Sequence, residues 1–366
     1  MNSSNNTPTI QSTVLENMSA MNHEQIVFCQ DEATGLKAII GIHSTILGPA
    51  LGGTRMWHYN NEAEALEDVL RLSRGMTYKN AIAGLNLGGG KAVIIGDSRT
   101  MKNEALMRRF GKFVDSLSGK YITAEDVGMT TKDMEMVYSE TKHVTGLPEY
   151  LGGTGDPSPV TAYGVYMGMK AAAQYRWGND SLNGKTITVQ GAGHVGQYLI
   201  GHLLEEGANI LVADIFEDKL NECTSKFPQV KVISPDSIID TECDIYSPCA
   251  LGGTLNDTNI PRLKCEIVAG CANNQLKNEA VNGRQLVDRN IVYAPDFLIN
   301  SGGVINVYGE LTGYNTKAAI KKAEGIYDTT LDVLKYASNN NITSGEAAIQ
   351  YAQKRIDAIA GIKARR

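Results

Sequence analysis

At 366 residues the chain is longer than a single domain usually runs, and its aliphatic content suffices for two cores, so two domains separated by a cleft are the default expectation. The net charge of −6 comes with scattered basic residues, which leaves no electrostatic footprint for nucleic acid or a membrane surface. No apolar run approaches the roughly 20 residues that span a bilayer, so small-molecule chemistry in the cytoplasm is the expectation.

Met1 to Ser12 are mostly polar and uncharged, with neither the basic nor the apolar stretch of a secretion signal, and read as a loose tail. Strands are predicted at Gln25 to Cys29, Leu36 to Ile42, Gly53 to His58, Ala92 to Ile95 and Tyr121 to Thr123. Asn61 can cap a long amphipathic helix that keeps Leu66, Val69, Leu70, Ser73 and Met76 on one face. Asn103 to Leu117 reads as a second helix. This half is expected to be a mixed sheet with helices against it. Leu151 to Pro159, with three glycines and two prolines, marks a domain crossing and a hinge. Val160 to Trp177 is then helical, and strands recur at Thr186 to Gln190, Asn209 to Ala213, Val230 to Ile233, Asp244 to Tyr246, Glu266 to Val268 and Ile291 to Tyr293. Alternation of that kind predicts a doubly wound parallel sheet. The tail from Asn315 to Lys363 is helical and broken near Asn339 to Ser344. The expected architecture is therefore α/β, with residues 1–150 forming a substrate domain, 151–342 a Rossmann domain, and a final helix at about 343–366 returning to the first.

The Rossmann assignment rests on the stretch from Thr186 to Asp214. A β-branched strand leads into Gly191-Ala192-Gly193-His194-Val195-Gly196-Gln197, which satisfies G-x-G-x-x-G, and a helix and second strand then end at Asp214. Gly191 permits the tight turn, Gly193 lets backbone approach a pyrophosphate, and Gly196 brings the helix onto the strand. Unpaired N–H groups at the helix start meet the diphosphate. Asp214 can accept from both ribose hydroxyls and would repel a 2′-phosphate, so NAD is expected rather than NADP.

A second constellation lies upstream, where Gly75-Met76-Thr77-Tyr78-Lys79-Asn80 precedes Gly84-Leu85-Asn86-Leu87-Gly88-Gly89-Gly90-Lys91. Two lysines flank what reads as a glycine-rich loop, with bare backbone for a small substrate to lie against. One lysine can pair with a substrate carboxylate. The other, desolvated beside a second cation, loses its proton more readily and becomes a base near neutral pH. A P-loop is excluded, because Leu85 stands where its first glycine should be and Ala92 replaces its hydroxyl residue. Six cysteines show no C-x-x-C and no histidines at ligand spacing, so no metal is expected. Cys243, Cys249, Cys265 and Cys271 lie in or beside apolar runs and read as small core hydrophobes.

Five ordered motifs carry a more specific resemblance: Gly48-Pro49-Ala50-Leu51-Gly52-Gly53-Thr54-Arg55-Met56, the two-lysine segment, Thr123-Ala124-Glu125-Asp126-Val127-Gly128, Gly153-Thr154-Gly155-Asp156-Pro157-Ser158-Pro159-Val160-Thr161-Ala162, and Gly270-Cys271-Ala272-Asn273-Asn274-Gln275-Leu276. From about residue 24 to the end the chain resembles the amino-acid dehydrogenase superfamily, and within it the leucine dehydrogenases. The resemblance implies reversible oxidative deamination of an L-amino acid to a 2-oxo acid and ammonia, in a homo-oligomer, commonly an octamer in the leucine branch. It makes Lys79 the substrate-carboxylate lysine, Lys91 the lysine that activates water, Asp126 the proton shuttle, and Thr161 and Asn273 neighbours of cofactor or substrate. Asn273 also reads as the cap of a helix beginning there. Leu51 stands where glutamate-specific relatives have a lysine. With Gly52, Gly53, Met76, Ala124, Val304 and Val307 it implies an aliphatic pocket for L-leucine, L-isoleucine and L-valine. Phenylalanine or valine dehydrogenase is the alternative within enzymes. A silent NAD-binding sensor is the alternative outside them, and it would be expected to lack Lys79, Lys91 or Asp126.

Overall fold

The structure, a computed structural model, describes residues 13–313 and 315–363; the polar tail Met1 to Ser12 lies outside the described residues. Contacts divide the chain into one unit of Met1–Thr77 with Leu87–Val144 and another of Tyr78–Asn86 with Thr145–Arg366.

In the first unit, helix α1 (Val14–Met21) starts on a Thr13 capping box and precedes strands β1 (Gln25–Asp31), β2 (Leu36–Ser44), β3 (Ala50–Leu51) and β4 (Thr54–Trp57). Helix α2 (Glu62–Ile82) follows, and Asn61 Oδ1 accepts from Glu64 N at 3.0 Å, so the predicted cap is present. Strand β5 (Gly88–Ile95), helix α3 (Glu104–Ser116), strand β6 (Tyr121–Ile122) and helix α4 (Thr131–Tyr138) complete the unit. The sheet runs β1-β2-β5-β3-β6, with β4 also on β5; β1, β2 and β5 are antiparallel neighbours and the remaining pairs are parallel. It is the mixed sheet expected. Leu66, Val69 and Leu70 of α2 pack with Ile39 of β2 and Val93 of β5, the face that their spacing predicts.

One expectation fails here. Gly88, Gly89 and Gly90 form the start of β5 rather than a loop. A Cβ on Gly88 would strike the Ser44 carbonyl, one on Gly89 the Thr77 hydroxyl and backbone, and one on Gly90 the Tyr121 ring at 2.7 Å. Close packing against these neighbours explains the glycines.

Thr77 is held in turn by a buried imidazole. His43 Nδ1 lies 2.8 Å from Thr77 Oγ1 and its Nε2 2.9 Å from Met21 O, while His23 Nε2 lies 2.8 Å from Ser73 Oγ. The two rings meet edge to face at 4.7 Å. Burial, reinforced at His43 by its neighbour, lowers both pKa values from 6.5 to about 4. The unfolded chain therefore takes up these protons below pH 6.5 and the folded one only near pH 4, so stability is present above that window and is lost as pH falls through it. The melting temperature is expected to drop across the same interval. His43→Gln removes one titrating ring and should flatten the slope; identical slopes for the two proteins would contradict the assignment.

The second unit opens with helix α5 (Ser158–Trp177), followed by β7 (Thr186–Gln190), α6 (His194–Glu205), β8 (Asn209–Ala213), α7 (Glu217–Lys226), β9 (Lys231–Val232), β10 (Ile245–Pro248), β11 (Ile267–Val268), α8 (Glu279–Asp288) and β12 (Val292–Tyr293). Helices α9 (Asp296–Ile299), α10 (Gly302–Thr312), α11 (Thr316–Glu324), α12 (Ile326–Asn340) and α13 (Ser344–Lys363) end it. The sheet is parallel throughout, in the order β12-β11-β10-β7-β8-β9. Its order reverses at β7, with β8 on one side and β10 on the other. The carboxyl end of β7 is thus where a doubly wound sheet offers its ligand crevice. Gly164 and Gly168 let α5 lie directly against Ile299 and Ile326, where a Cβ would intrude. Arg355 of α13 donates to the carbonyls of Ala81 and Leu85, at 3.1 and 2.7 Å, and to Asn86 Oδ1 at 3.0 Å.

Two local expectations are corrected. No helix begins at Asn273: the next one is α8, capped by Asn278, whose Oδ1 accepts from Val281 N. Cys243 and Cys265 pack, partly buried, against a hydrophobic core as read, but Cys249 and Cys271 lie partly accessible at strand ends outside it, and Cys29 and Cys223 are the buried ones. Among the described residues no helix is long and apolar enough to cross a membrane.

Candidate active site

Lys91 lies within β5, opposite Gly41 of β2, and is only 6 % exposed. Its Nζ is 2.8 Å from Asp126 Oδ2. Asp126 follows β6 in a segment that runs beside β4, where Thr54 N donates to Ala124 O at 2.8 Å and Met56 N to Val127 O at 2.9 Å. Gly53 is needed at this crossing, because a Cβ there would lie 2.9 Å from the Asp126 Cβ. The same Asp126 oxygen accepts from Arg55 Nε at 3.2 Å, Arg55 Nη1 reaches Asp68 Oδ2 at 2.9 Å, and Tyr59 OH donates to that oxygen at 2.8 Å. The cluster is a line of alternating charge, Lys91, Asp126, Arg55 and Asp68.

The line sets both protonation states. Burial lowers the Lys91 pKa, and the Asp126 carboxylate only partly restores it, so the ammonium gives up its proton more readily than a free lysine does. For Asp126, burial pushes the carboxyl up, but the Lys91 charge and hydrogen bond, joined by Arg55, outweigh it and keep the group ionised below the usual carboxylate range. A poised amine thus stands beside a fixed carboxylate. Arg55, Asp68 and Tyr59 have no role in the sequence-level assignment, although Arg55 stands inside a quoted motif. Arg55 is the one charged residue of its motif, and that is the only signal the sequence offers; Asp68 and Tyr59 carry none.

Leu51 is 2 % exposed in β3, between Gly89 of β5 and Ile122 of β6. Gly52 has no room for a side chain against the Gly90 carbonyl and would touch Met76; its own carbonyl accepts from Tyr121 OH at 2.6 Å. Ala124 is buried close by in sequence to Asp126.

In the second unit Lys79 Nζ donates to Asn300 Oδ1 at 2.7 Å. Asn300 Nδ2 in turn donates to Asn273 Oδ1 at 2.8 Å and to Cys271 O at 3.1 Å. The predicted Lys79 and Asn273 are therefore joined through a residue that sequence reasoning passed over. Val304 and Val307 share one face of α10, three residues apart. Thr161 Oγ1 donates to Pro157 O at 2.9 Å.

The glycine turn after β7 has the form its spacing predicts. Gly191 adopts φ 114°, in the region that favours glycine, and a Cβ on Gly196 would strike the Gly191 carbonyl. Gly193 caps α6 with no side chain over the helix start, and nothing lies within 4 Å of where its Cβ would be. An open helix N-terminus of this kind fits a diphosphate. His194 is exposed and Val195 half-buried at the helix start, while buried Gln197 donates to Ala192 O at 3.0 Å and braces the turn. Asp214 Oδ2 accepts from Ala192 N at 2.7 Å and Oδ1 from Phe216 N at 2.9 Å, so the acid expected at the ribose holds the turn in place.

Residues 23–143 match the family model for the Glu/Leu/Phe/Val dehydrogenase dimerisation domain, and residues 152–215 and 212–359 match that for glutamate/leucine/phenylalanine/valine dehydrogenase. The chain belongs to the Glu/Leu/Phe/Val dehydrogenase family. It is 56 % identical over 344 residues to a leucine dehydrogenase of Thermoactinomyces intermedius, covering 94 % of this chain and 93 % of that one. To a valine dehydrogenase of Streptomyces virginiae it is 50 % identical over 336 residues, covering 91 % and 94 %. A solved L-tryptophan dehydrogenase from Nostoc punctiforme superposes with a TM-score of 0.86 at 44 % identity, covering 95 % of this chain and 99 % of that one. This chain is accordingly an amino-acid dehydrogenase acting on small molecules.

Proposed function

We propose that the chain oxidatively deaminates L-leucine, and with it L-isoleucine and L-valine, to 2-oxo acids and ammonia with NAD, reversibly. The observation that carries the reading is buried Lys91, 2.8 Å from the half-buried Asp126, whose carboxylate Arg55 also meets. Lys79 neutralises the substrate carboxylate. Asp126, ionised, takes a proton from the substrate ammonium. NAD, held by the Gly191–Gly196 turn and the start of α6, would supply the acceptor for the hydride that leaves Cα as the substrate becomes an imine. Lys91, as a neutral amine, then removes a proton from the water that attacks the imine carbon, and Asp126 returns a proton to the departing nitrogen. Asn273 and Thr161 border the cofactor in this reading, and Gly193 with the start of α6 takes its diphosphate.

Leu51, Gly52, Gly53, Met76, Ala124, Val304 and Val307 receive the side chain. A distal carboxylate there would be buried without a cation, a cost of several kcal/mol, so L-glutamate is expected to be nearly inert. One methylene in an aliphatic pocket is worth only about 1–3 kcal/mol, so the three branched substrates should differ in rate rather than in acceptance. A panel of L-leucine, L-isoleucine, L-valine, L-phenylalanine, L-tryptophan and L-glutamate, followed by NADH absorbance, tests the assignment. Comparable kcat/KM on glutamate and leucine would refute the aliphatic pocket, and a higher value on an aromatic substrate would move the assignment to that branch. The same reading places the enzyme in the cytoplasm as a homo-oligomer, an octamer, and assigns 1–150 with 343–366 to substrate and 151–342 to cofactor; sedimentation gives the subunit number.

Cofactor choice has its own test. Asp214→Asn removes the charge and keeps an oxygen for Ala192 N. The ratio of kcat/KM for NAD over NADP should fall by at least about tenfold, or ~1.4 kcal/mol. A wild-type enzyme equally efficient with both would sink the argument from the ribose carboxylate.

A further inference from the structure

Strands β10 and β11 pair in parallel with Ile245 opposite Ile267 and Tyr246 opposite Val268. Carried back, that register sets Cys243 against Cys265 at the amino end; at the carboxyl end it slips by one residue, Ala272 N donating to Pro248 O, and Cys271 Sγ comes to 3.7 Å from Cys249 O. Each pair is close enough for its thiols to be hydrogen-bonded together. Neighbouring strands lie about 4.7–4.9 Å apart, within the Cα separation of about 4.4–6.8 Å that disulfides use. All four residues are partly exposed.

Only the carboxyl-end pair lies on the ligand side of the sheet. The Cys249 backbone is the floor of the glycine turn: a Cβ on Gly191 would lie 2.9 Å from the Cys249 carbonyl and from Ala250 N. Cys271 Sγ lies 3.7 Å from Cys249 O, and the Cys271 carbonyl accepts from Asn300, the residue bound to Lys79. The two thiols also differ in their readiness to ionise. Cys249 is drawn below the ordinary thiol value by its hydrogen bond from Cys271, against burial, with Ser247 Oγ adding a contact at 3.3 Å. Cys271 is pushed up.

We propose that Cys249 and Cys271 form a reversible redox switch that closes to a disulfide under a hydroperoxide and weakens dinucleotide binding at the adjacent glycine turn. The Cys249 thiolate attacks the peroxide, breaking its O–O bond to give a sulfenic acid, with the leaving oxygen protonated to water. The Cys271 thiol, losing its proton, then attacks the Cys249 sulfur and expels a second water. Two thiols and one hydrogen peroxide give one disulfide and two waters. Closing the sulfurs to about 2.05 Å reorients both side chains directly beneath the turn, where Gly191 packs against the Cys249 backbone. The coupling is reciprocal, so bound NAD protects the pair from oxidation. This effect rests on the reading of the turn as the NAD cradle, whereas the bond itself does not.

The test treats the full chain with hydrogen peroxide, maps cross-linked peptides by mass spectrometry, and measures NAD affinity before oxidation, after it, and after dithiothreitol. The Cys249–Cys271 link is expected to form first and to weaken NAD binding by at least about fivefold, with recovery on reduction. Cys271→Ser should leave a sulfenic acid on Cys249 that dimedone traps, and Cys243→Ser should respond as wild type. Oxidation confined to other cysteines, or a Cys249–Cys271 link that leaves NAD affinity unchanged, would overturn the proposal. Failure of the reduced enzyme to bind NAD at all would instead overturn the cofactor reading, while the peptide map would still decide the link.

Discussion

Lys91→Ala is expected to lower kcat for leucine oxidation by about three orders of magnitude while leaving NAD affinity within about twofold of wild type. The base is lost, but the glycine turn after β7 is untouched. Asp126 keeps Arg55 at 3.2 Å, so its charge remains compensated and the fold should persist. The measurement is steady-state kinetics beside NAD binding. Retention of more than about a tenth of wild-type kcat, a barrier change below ~1.4 kcal/mol, would end the general-base role. Partial recovery by added methylamine would support it, because a small amine can enter the space of the missing side chain.

Asp126→Asn probes the same pair from the other side. The carboxylate is what partly restores the Lys91 pKa against burial, so its removal should lower that pKa further. Two results follow together. The proton shuttle is lost, which should reduce kcat by about two to three orders of magnitude. The acidic limb of the kcat/KM profile should also move to lower pH, since Lys91 is now neutral over a wider range. An unmoved limb would mean that the titrating base is another group. Folding is expected to survive, as Arg55 retains Asp68 at 2.9 Å.

Much of this was legible in the sequence because it depends on local order. The strand, Gly191 turn, helix and Asp214 lie within one short stretch, and each glycine has a backbone reason that spacing alone expresses. The helix cap at Asn61 and the face formed by Leu66, Val69 and Leu70 are local too. What escaped depends on distant partners. Asn300 joins Lys79 to Asn273 only because α9 delivers it there. Asp68 looks like any surface acid on α2 until Arg55 arrives from β4. The triple glycine reads equally well as a loop or as a crowded strand, and only the Thr77 and Tyr121 side chains decide between them. Cys249 and Cys271 read as core like Cys243 and Cys265, which do pack on it, for a similar reason: an apolar run does not say which of its ends reaches solvent.

The crowded start of β5 has a practical meaning for anyone interpreting inactive variants. Gly88, Gly89 and Gly90 directly precede Lys91, the proposed base, so a screen that scores only turnover would place them in the reaction centre. Their neighbours say otherwise: a methyl group at any of the three would push against a carbonyl, the Thr77 backbone or the Tyr121 ring. Such a variant would be missing from the soluble fraction, or would melt early, before its chemistry could be measured. Expression yield and thermal denaturation should therefore be recorded alongside rate at these positions, and silence there should be counted as a failure of assembly.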